Sequence, residues 1–205
     1  MDDLVREKLR EWTRGLDARG ARIAVFSRIR DMPYEIIAEL KDPYEGPAKT
    51  LLAGRGSCTA KHFLLGKMLS LLEIPVQYVT YPFYWNDPDI TYPPQLRELA
   101  ERAPVDYHLA NKALIDNKWV LVDATWDPPL AAAGFPVNES WGGISDTENA
   151  VKPLREVIHS GALERARFTD EVKASRDEEE SLALDEFVLA FNRWLRELRG
   201  EEQVK

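Results

Sequence analysis

The stretch 58–72 constrains the fold most, because Ala60, Phe63, Leu64, Leu65, Met68, Leu69, Leu71 and Leu72 leave it few polar positions. A helix that is apolar on nearly every side must be covered on nearly every side, so these residues predict a central, largely buried helix. The rest of the chain has to wrap it. Downstream, the β-branched and aromatic run at 76–81 reads as a strand. Two further strand-like runs, 106–115 and 118–124, flank Asp116-Asn117, a pair that tolerates the positive φ of a tight hairpin turn. Helical spacing of apolar residues marks 2–14 (Leu4, Val5, Leu9, Trp12), 21–30 (Ile23, Val25, Phe26, Ile29), 95–102 and 181–198 (Leu184, Phe187, Val188, Phe191, Trp194, Leu195, Leu198). The Pro- and Gly-rich residues 41–57 read as a loop with at most one short turn, and 127–150 as irregular coil packed by Phe135 and Trp141. The expected architecture is α+β: an N-terminal helix at 1–20, a core at 21–140, and at 141–205 coil and an amphipathic helix docked on that core.

Charge removes several classes of function. Twenty-seven basic against 35 acidic residues leave a net charge of −8, which opposes a grip on phosphate backbones or anionic lipid, so neither a nucleic acid nor a membrane partner is expected. The start, MDDLVREKLREW, is charged and periodic, and no stretch approaches the ~20 apolar residues of a membrane span. A cytoplasmic protein is the expectation. Asn138-Glu139-Ser140 fits a glycosylation acceptor and, without a signal peptide, reads as chance. Cys58 is the single cysteine, which excludes an internal disulfide framework and a multi-cysteine zinc site. With three histidines, His62, His108 and His159, most metal constellations lack material, and no metal or cofactor is expected. The thiol is either inert filling or a reagent.

Position gives the reagent an argument. In Gly54-Arg55-Gly56-Ser57-Cys58 the glycines permit a sharp approach, Ser57 is a preferred helix N-cap, and Cys58 falls in the first helical turn. Unpaired amide donors and the helix dipole there stabilise a thiolate. The competing reading is a small buried hydrophobe. The hairpin adds a second argument: a two-residue turn at Asp116-Asn117 pairs residue 115 with 118, so His108 faces Thr125 and Asp123 faces Ala110. His108 and Asp123 are then diagonal neighbours on one face, at about 7 to 8 Å between backbones, where imidazole and carboxylate can meet. A base held by a carboxylate beside a thiol is what nucleophilic acyl transfer requires, with His108 taking the thiol proton and Asp123 orienting the ring. Taken singly, His108 reads as a satisfied strand histidine and Asp123 as a turn-end or capping acid.

At these residues the chain resembles a family. GRGSCTAKHFLLGKMLSLLEIPVQYVTY looks like the nucleophile helix and following strand of the transglutaminase-like superfamily, and YHLANKALIDNKWVLVDATWDP looks like its histidine and aspartate strands. Cys58, His108 and Asp123 fall on the catalytic Cys, His and Asp, with Ile74-Pro75, Trp119 and Thr125 on supporting positions. RIRDMPYEI resembles the segment that often precedes the core, and the resemblance covers about residues 21–128. It implies a papain-like core, a buried nucleophile helix packed on an antiparallel sheet that carries His and Asp, with the Cys58 N–H as half of an oxyanion hole. Tyr34 and Tyr44 are candidates for the other half. The chain departs from the pattern at Ala110 and Lys112, where the family often has Trp and an acidic or polar residue, and at Glu73, where Gly is common.

The resemblance implies a cysteine hydrolase or acyltransferase acting on a peptide or protein amide through a Cys58 acyl-enzyme, possible acceptors being water or an amine. Hydrolysis is favoured, because nothing resembles the calcium-binding segments of the large cross-linking enzymes. The alternative is a binding or assembly module that keeps the fold without the chemistry. Residues 81–85 and Trp126-Asp127-Pro128-Pro129 are candidate cleft walls, and also candidate core. His62, one turn beyond Cys58, reads as structural and only faintly as a metal ligand; His159 reads as a surface residue. Residues 58–150 carry six basic and twelve acidic groups, which favours a neutral or cationic substrate.

Overall fold

A computed structural model describes residues 2–201 of the chain. Helix α4 (Cys58–Leu71) is its centre, with Phe63, Leu64, Leu65, Met68 and Leu69 almost without exposure. Burying each such side chain stabilises the fold by about 1.5–3 kcal/mol. One face of α4 packs on helices α1 (Asp2–Thr13), α2 (Ala18–Arg30) and α3 (Gly46–Ala53). The other meets an antiparallel sheet built from β1 (Val76–Phe83), β2 (Asp106–Ile115), β3 (Lys118–Val122) and β4 (Val157–His159), in the order β3-β2-β1-β4. The fold is therefore α+β, with a buried helix against an antiparallel sheet as the pattern requires. Gly66 allows the close fit: a Cβ there would lie 2.5 Å from the Tyr78 hydroxyl, so a residue that weakens a helix interior is what lets β1 approach.

The hairpin register is the one derived from the turn. Ile115 pairs with Lys118 and Asn111 with Val122, and Asp116 and Asn117 have φ of 49° and 61°. β3 stops at Val122, not at residue 124. Asp123 has left the ladder, and its N–H bonds the Thr147 hydroxyl at 2.8 Å.

Three elements depart from the sequence expectation. The supposed loop at 41–57 contains α3, whose first residues are Gly46-Pro47; proline suits a helix start, where its missing N–H would lack a partner anyway. Helix α6 (Ala162–Ser175) and the short strand β4 carry no apolar stripe that would announce them. His159 is not on the surface: it is buried on β4, with Nε2 2.9 Å from the Thr80 hydroxyl and its ring against Phe168.

Helix α5 (Pro94–Arg102) and helix α7 (Glu178–Leu198) bound a second, aromatic core. Phe187, Phe191 and Trp194 of α7 pack there with Trp85, Tyr92, Trp126 and Phe135. A capping box at Asp177 and Glu180 starts α7. Its far end grips the segment before α3. Asn192 exchanges two hydrogen bonds with the Ile36 backbone, and Arg199 bonds Asp127 and the Tyr34 carbonyl. Among the described residues no helix is long and apolar enough to cross a membrane.

Candidate active site

Cys58 is the first residue of α4 and is half-buried. Ser57 occupies the N-cap position, but its hydroxyl makes no capping bond and is buried without a partner. The approach is held instead by backbone pairing: Gly56 N–H bonds Pro33 C=O at 3.1 Å, and Glu35 N–H bonds Gly56 C=O at 3.3 Å. That exchange sets Tyr34, which lies between Pro33 and Glu35, beside the thiol. The buried Tyr34 hydroxyl lies against Cys58 and is coupled to it. Burial, then the negative charge of the sulfur, drives its acidity far below that of a free phenol. Tyr44 is two-thirds exposed (66%), away from the thiol.

His108 and Asp123 meet although Asp123 lies one residue beyond the paired part of β3, with Nε2 donating to Oδ2 at 2.8 Å and both side chains buried. Nε2 being engaged, Nδ1 is the nitrogen left for Cys58, to which His108 is hydrogen-bonded. Every lone-pair direction of Asp123 is used. Oδ1 accepts from the Thr125 hydroxyl at 2.6 Å and the Thr125 N–H at 3.2 Å, and Oδ2 also accepts from the Ala150 N–H at 2.9 Å. Burial alone would raise this carboxyl, but the neighbouring His108 charge and these donors hold it far below the usual carboxylate range. Burial works to discharge His108, and the Asp123 charge outweighs it, so the imidazole is held protonated well above neutrality. Burial likewise opposes a Cys58 thiolate. The His108 hydrogen bond and charge, with the Leu109 N–H, overcome that and lower the thiol from its usual 9.0.

His62 is also near Asp123, at 3.5 Å, yet shifts the opposite way. Its Nε2 accepts from the Ala124 N–H at 3.0 Å, so Nδ1 carries the proton and donates to the Cys58 carbonyl at 2.8 Å. Desolvation dominates and lowers it to about 4, which makes His62 a neutral strut between the start of α4 and the end of β3. Lys61, fully buried, donates to the carbonyls of Arg30, Met32 and Thr125 at 2.6–3.0 Å. Burial pulls it down to about 7, with Asp127 opposing.

The thiol opens onto a cleft of about 670 Å³. Phe83, Trp85 and Trp126 from the two expected aromatic segments line it, each also buried in the aromatic core. Ala110 is fully buried, and Lys112 pairs with Glu156 at 2.7 Å. Sequence reasoning missed the fourth wall, which α6 supplies through Arg165, Thr169 and Val172. It also missed the service of 127–150 to Asp123. Asn138 there bonds the Asp123 carbonyl at 3.0 Å and Glu148 on both amide atoms, so its Nδ2 is committed. Among the described residues no cluster of three or more His, Cys, Asp or Glu could hold a metal ion.

No family model and no curated protein matches the sequence. Among solved structures, a "Putative Cysteine Protease from Cytophaga hutchinsonii" is similar with a TM-score of 0.43 and 18% identity, over 77% of this chain and 50% of that one. The chain thus spans about half the length of that protein.

Proposed function

We propose that the protein is a thiol enzyme of the transglutaminase-like kind, which breaks an amide through a Cys58 acyl-enzyme. One observation carries this reading: the 2.8 Å His108–Asp123 bond, with the other face of the imidazole turned to a thiol at a helix N-terminus inside a cleft. In the proposed reaction the Cys58 thiolate attacks the amide carbonyl, and the new C–S bond places charge on the carbonyl oxygen. The Cys58 N–H and the Tyr34 hydroxyl receive that charge. His108 Nδ1–H protonates the departing amine as the C–N bond breaks, and Asp123 keeps the ring in the tautomer that can do so. Water, or an amine, then gives a proton back to His108 and displaces the sulfur.

Alkylation by iodoacetamide tests the reading, and Cys58 being the only cysteine, the label reports on it alone. Wild type should react well below pH 7, where a free thiol is protonated, and His108→Ala should lose that acid limb. A Cys58 inert below pH 7, or a profile unchanged in His108→Ala, returns the protein to the binding-module alternative. With candidate acyl donors, mass spectrometry should find a covalent adduct that Cys58→Ala abolishes.

A further inference from the structure

Arg165 is buried to 1% exposure on α6, and it lines the same cleft as Cys58 and His108. Its Nη2 donates to the Tyr107 carbonyl at 3.1 Å, which ties the guanidinium to the residue just before His108. Nε and Nη1 are buried without a hydrogen-bond partner, the guanidinium lying over the Phe168 ring at 6.0 Å. A buried guanidinium with open donors is costly, and burial accordingly depresses Arg165 to about 10. The charges of Cys58 and Asp106 offset that cost only in part, and no carboxylate hydrogen-bonds the guanidinium. Asp106 is committed to Arg176 at 3.3 Å and to the Trp85 N–H at 3.1 Å, while Asp42, Asp170 and Asp185 are exposed at the rim.

We propose that Arg165 binds a carboxylate of the substrate, so that the amide cleaved at Cys58 lies close to a free carboxylate, such as a chain terminus or an acidic side chain. The proposal rests on the acyl-enzyme reading and adds its substrate class. A planar guanidinium with free N–H groups matches a carboxylate in shape and charge, and the ligand would supply the acceptors that the fold withholds. The placement beside His108 sets that carboxylate near the leaving amine. It also reverses the substrate charge that the acidic composition of residues 58–150 favours: of those acids only Asp106 lines the cleft, and it is already paired, whereas the cation lies inside.

Paired alkylating agents test this on the protein itself. Iodoacetate is a carboxylate and iodoacetamide its neutral counterpart, so the ratio of their rates at Cys58 measures the pull of the cleft on an anion. Wild type should show a ratio about 10- to 100-fold above that of Arg165→Gln, the range of a hydrogen bond to a charged group, with Arg165→Lys between them. The His108 charge is common to all three and cancels. N-acetylglycine should also slow iodoacetamide labelling of wild type where N-acetylglycinamide does not, a comparison that needs no variant to fold. Equal ratios in wild type and Arg165→Gln overturn the proposal alone while leaving Cys58 an activated thiol; equal protection by the acid and the amide does the same. A wild-type Cys58 that resists both reagents below pH 7 overturns the acyl-enzyme reading and this proposal with it.

Discussion

Lys61 and Arg165 are both buried cations, one on the helix that carries the thiol but outside the cleft lining, the other on the α6 wall of the cleft, and the fold treats them differently. The packing of α4 against the end of α2 and the segment after β3 gives Lys61 three carbonyl acceptors. The wall made by α6 gives Arg165 one, and leaves Nε and Nη1 open. Around Asp123 that packing is equally complete, down to the two neighbouring histidines. His108 points an N–H at the carboxylate and is held charged, whereas His62 spends its lone pair on a backbone N–H and is held neutral. Proximity to the same acid did not decide the charge; the direction of the hydrogen bond and the desolvation did. A buried polar group with all its partners is explained by architecture. One without them costs about 1–3 kcal/mol and calls for an explanation outside the free protein.

The contrast can be broken first at Lys61. Lys61→Ala should leave three buried carbonyls without their donor and a cavity behind, a loss of about 3–5 kcal/mol in urea unfolding. A loss below about 1 kcal/mol would mean that this packing is not sealed by Lys61.

His62 sharpens the contrast through pH. Its folded pKa, about 4, lies below its ordinary 6.5, so the unfolded chain binds the proton more readily between those values. The stability it contributes is complete above pH 6.5 and is lost as pH falls toward 4, roughly 3 kcal/mol in all. His62→Gln should flatten that part of the stability profile, measured as denaturation midpoints from pH 7 to 4. His108, with its pKa raised, contributes with the opposite sign: fully below pH 6.5, and fading as pH rises through its folded value.

Away from both cations, Glu73 holds a left-handed φ of 62° at the end of α4. Glu73→Gly should raise stability by about 1 kcal/mol, seen as a higher Tm at unchanged Cys58 reactivity. The smallest change in stability belongs to the incomplete wall. Arg165→Gln should alter unfolding free energy by less than about 1 kcal/mol in either direction, since one hydrogen bond is lost while a desolvated charge is removed. A loss as large as that of Lys61→Ala would make α6 an ordinary structural wall and erase the comparison.

The legible parts of the molecule are those governed by neighbours in sequence. The central helix follows from an unbroken apolar run, and the hairpin register from Asp116-Asn117, whose positive φ values permit the two-residue turn. That register puts His108 and Asp123 on one face of the hairpin. Glu73, where resembling proteins commonly have Gly, sits at a position whose backbone would suit Gly. Other features follow no local rule. Helix α6 is polar around most of its circumference, and only Arg165 among its residues is buried. His159 looked peripheral because burial on a three-residue edge strand leaves no periodic trace. The 127–150 segment lacks a period because its function is to deliver single donors, Ala150 N–H and the Asn138 amide, to Asp123.

The sequence by itself therefore determined the buried helix, the hairpin and the shared face of one imidazole and one carboxylate, because each depends on spacing along a helix or strand; that a thiol joins them was implied by the resemblance and follows from the packing of α4 on β2. Tertiary structure alone decided which titratable groups are charged and which donors go unanswered. Those properties come from desolvation and from partners far away in the chain: Arg199 on Asp127, Thr125 on Lys61, and no carboxylate on Arg165.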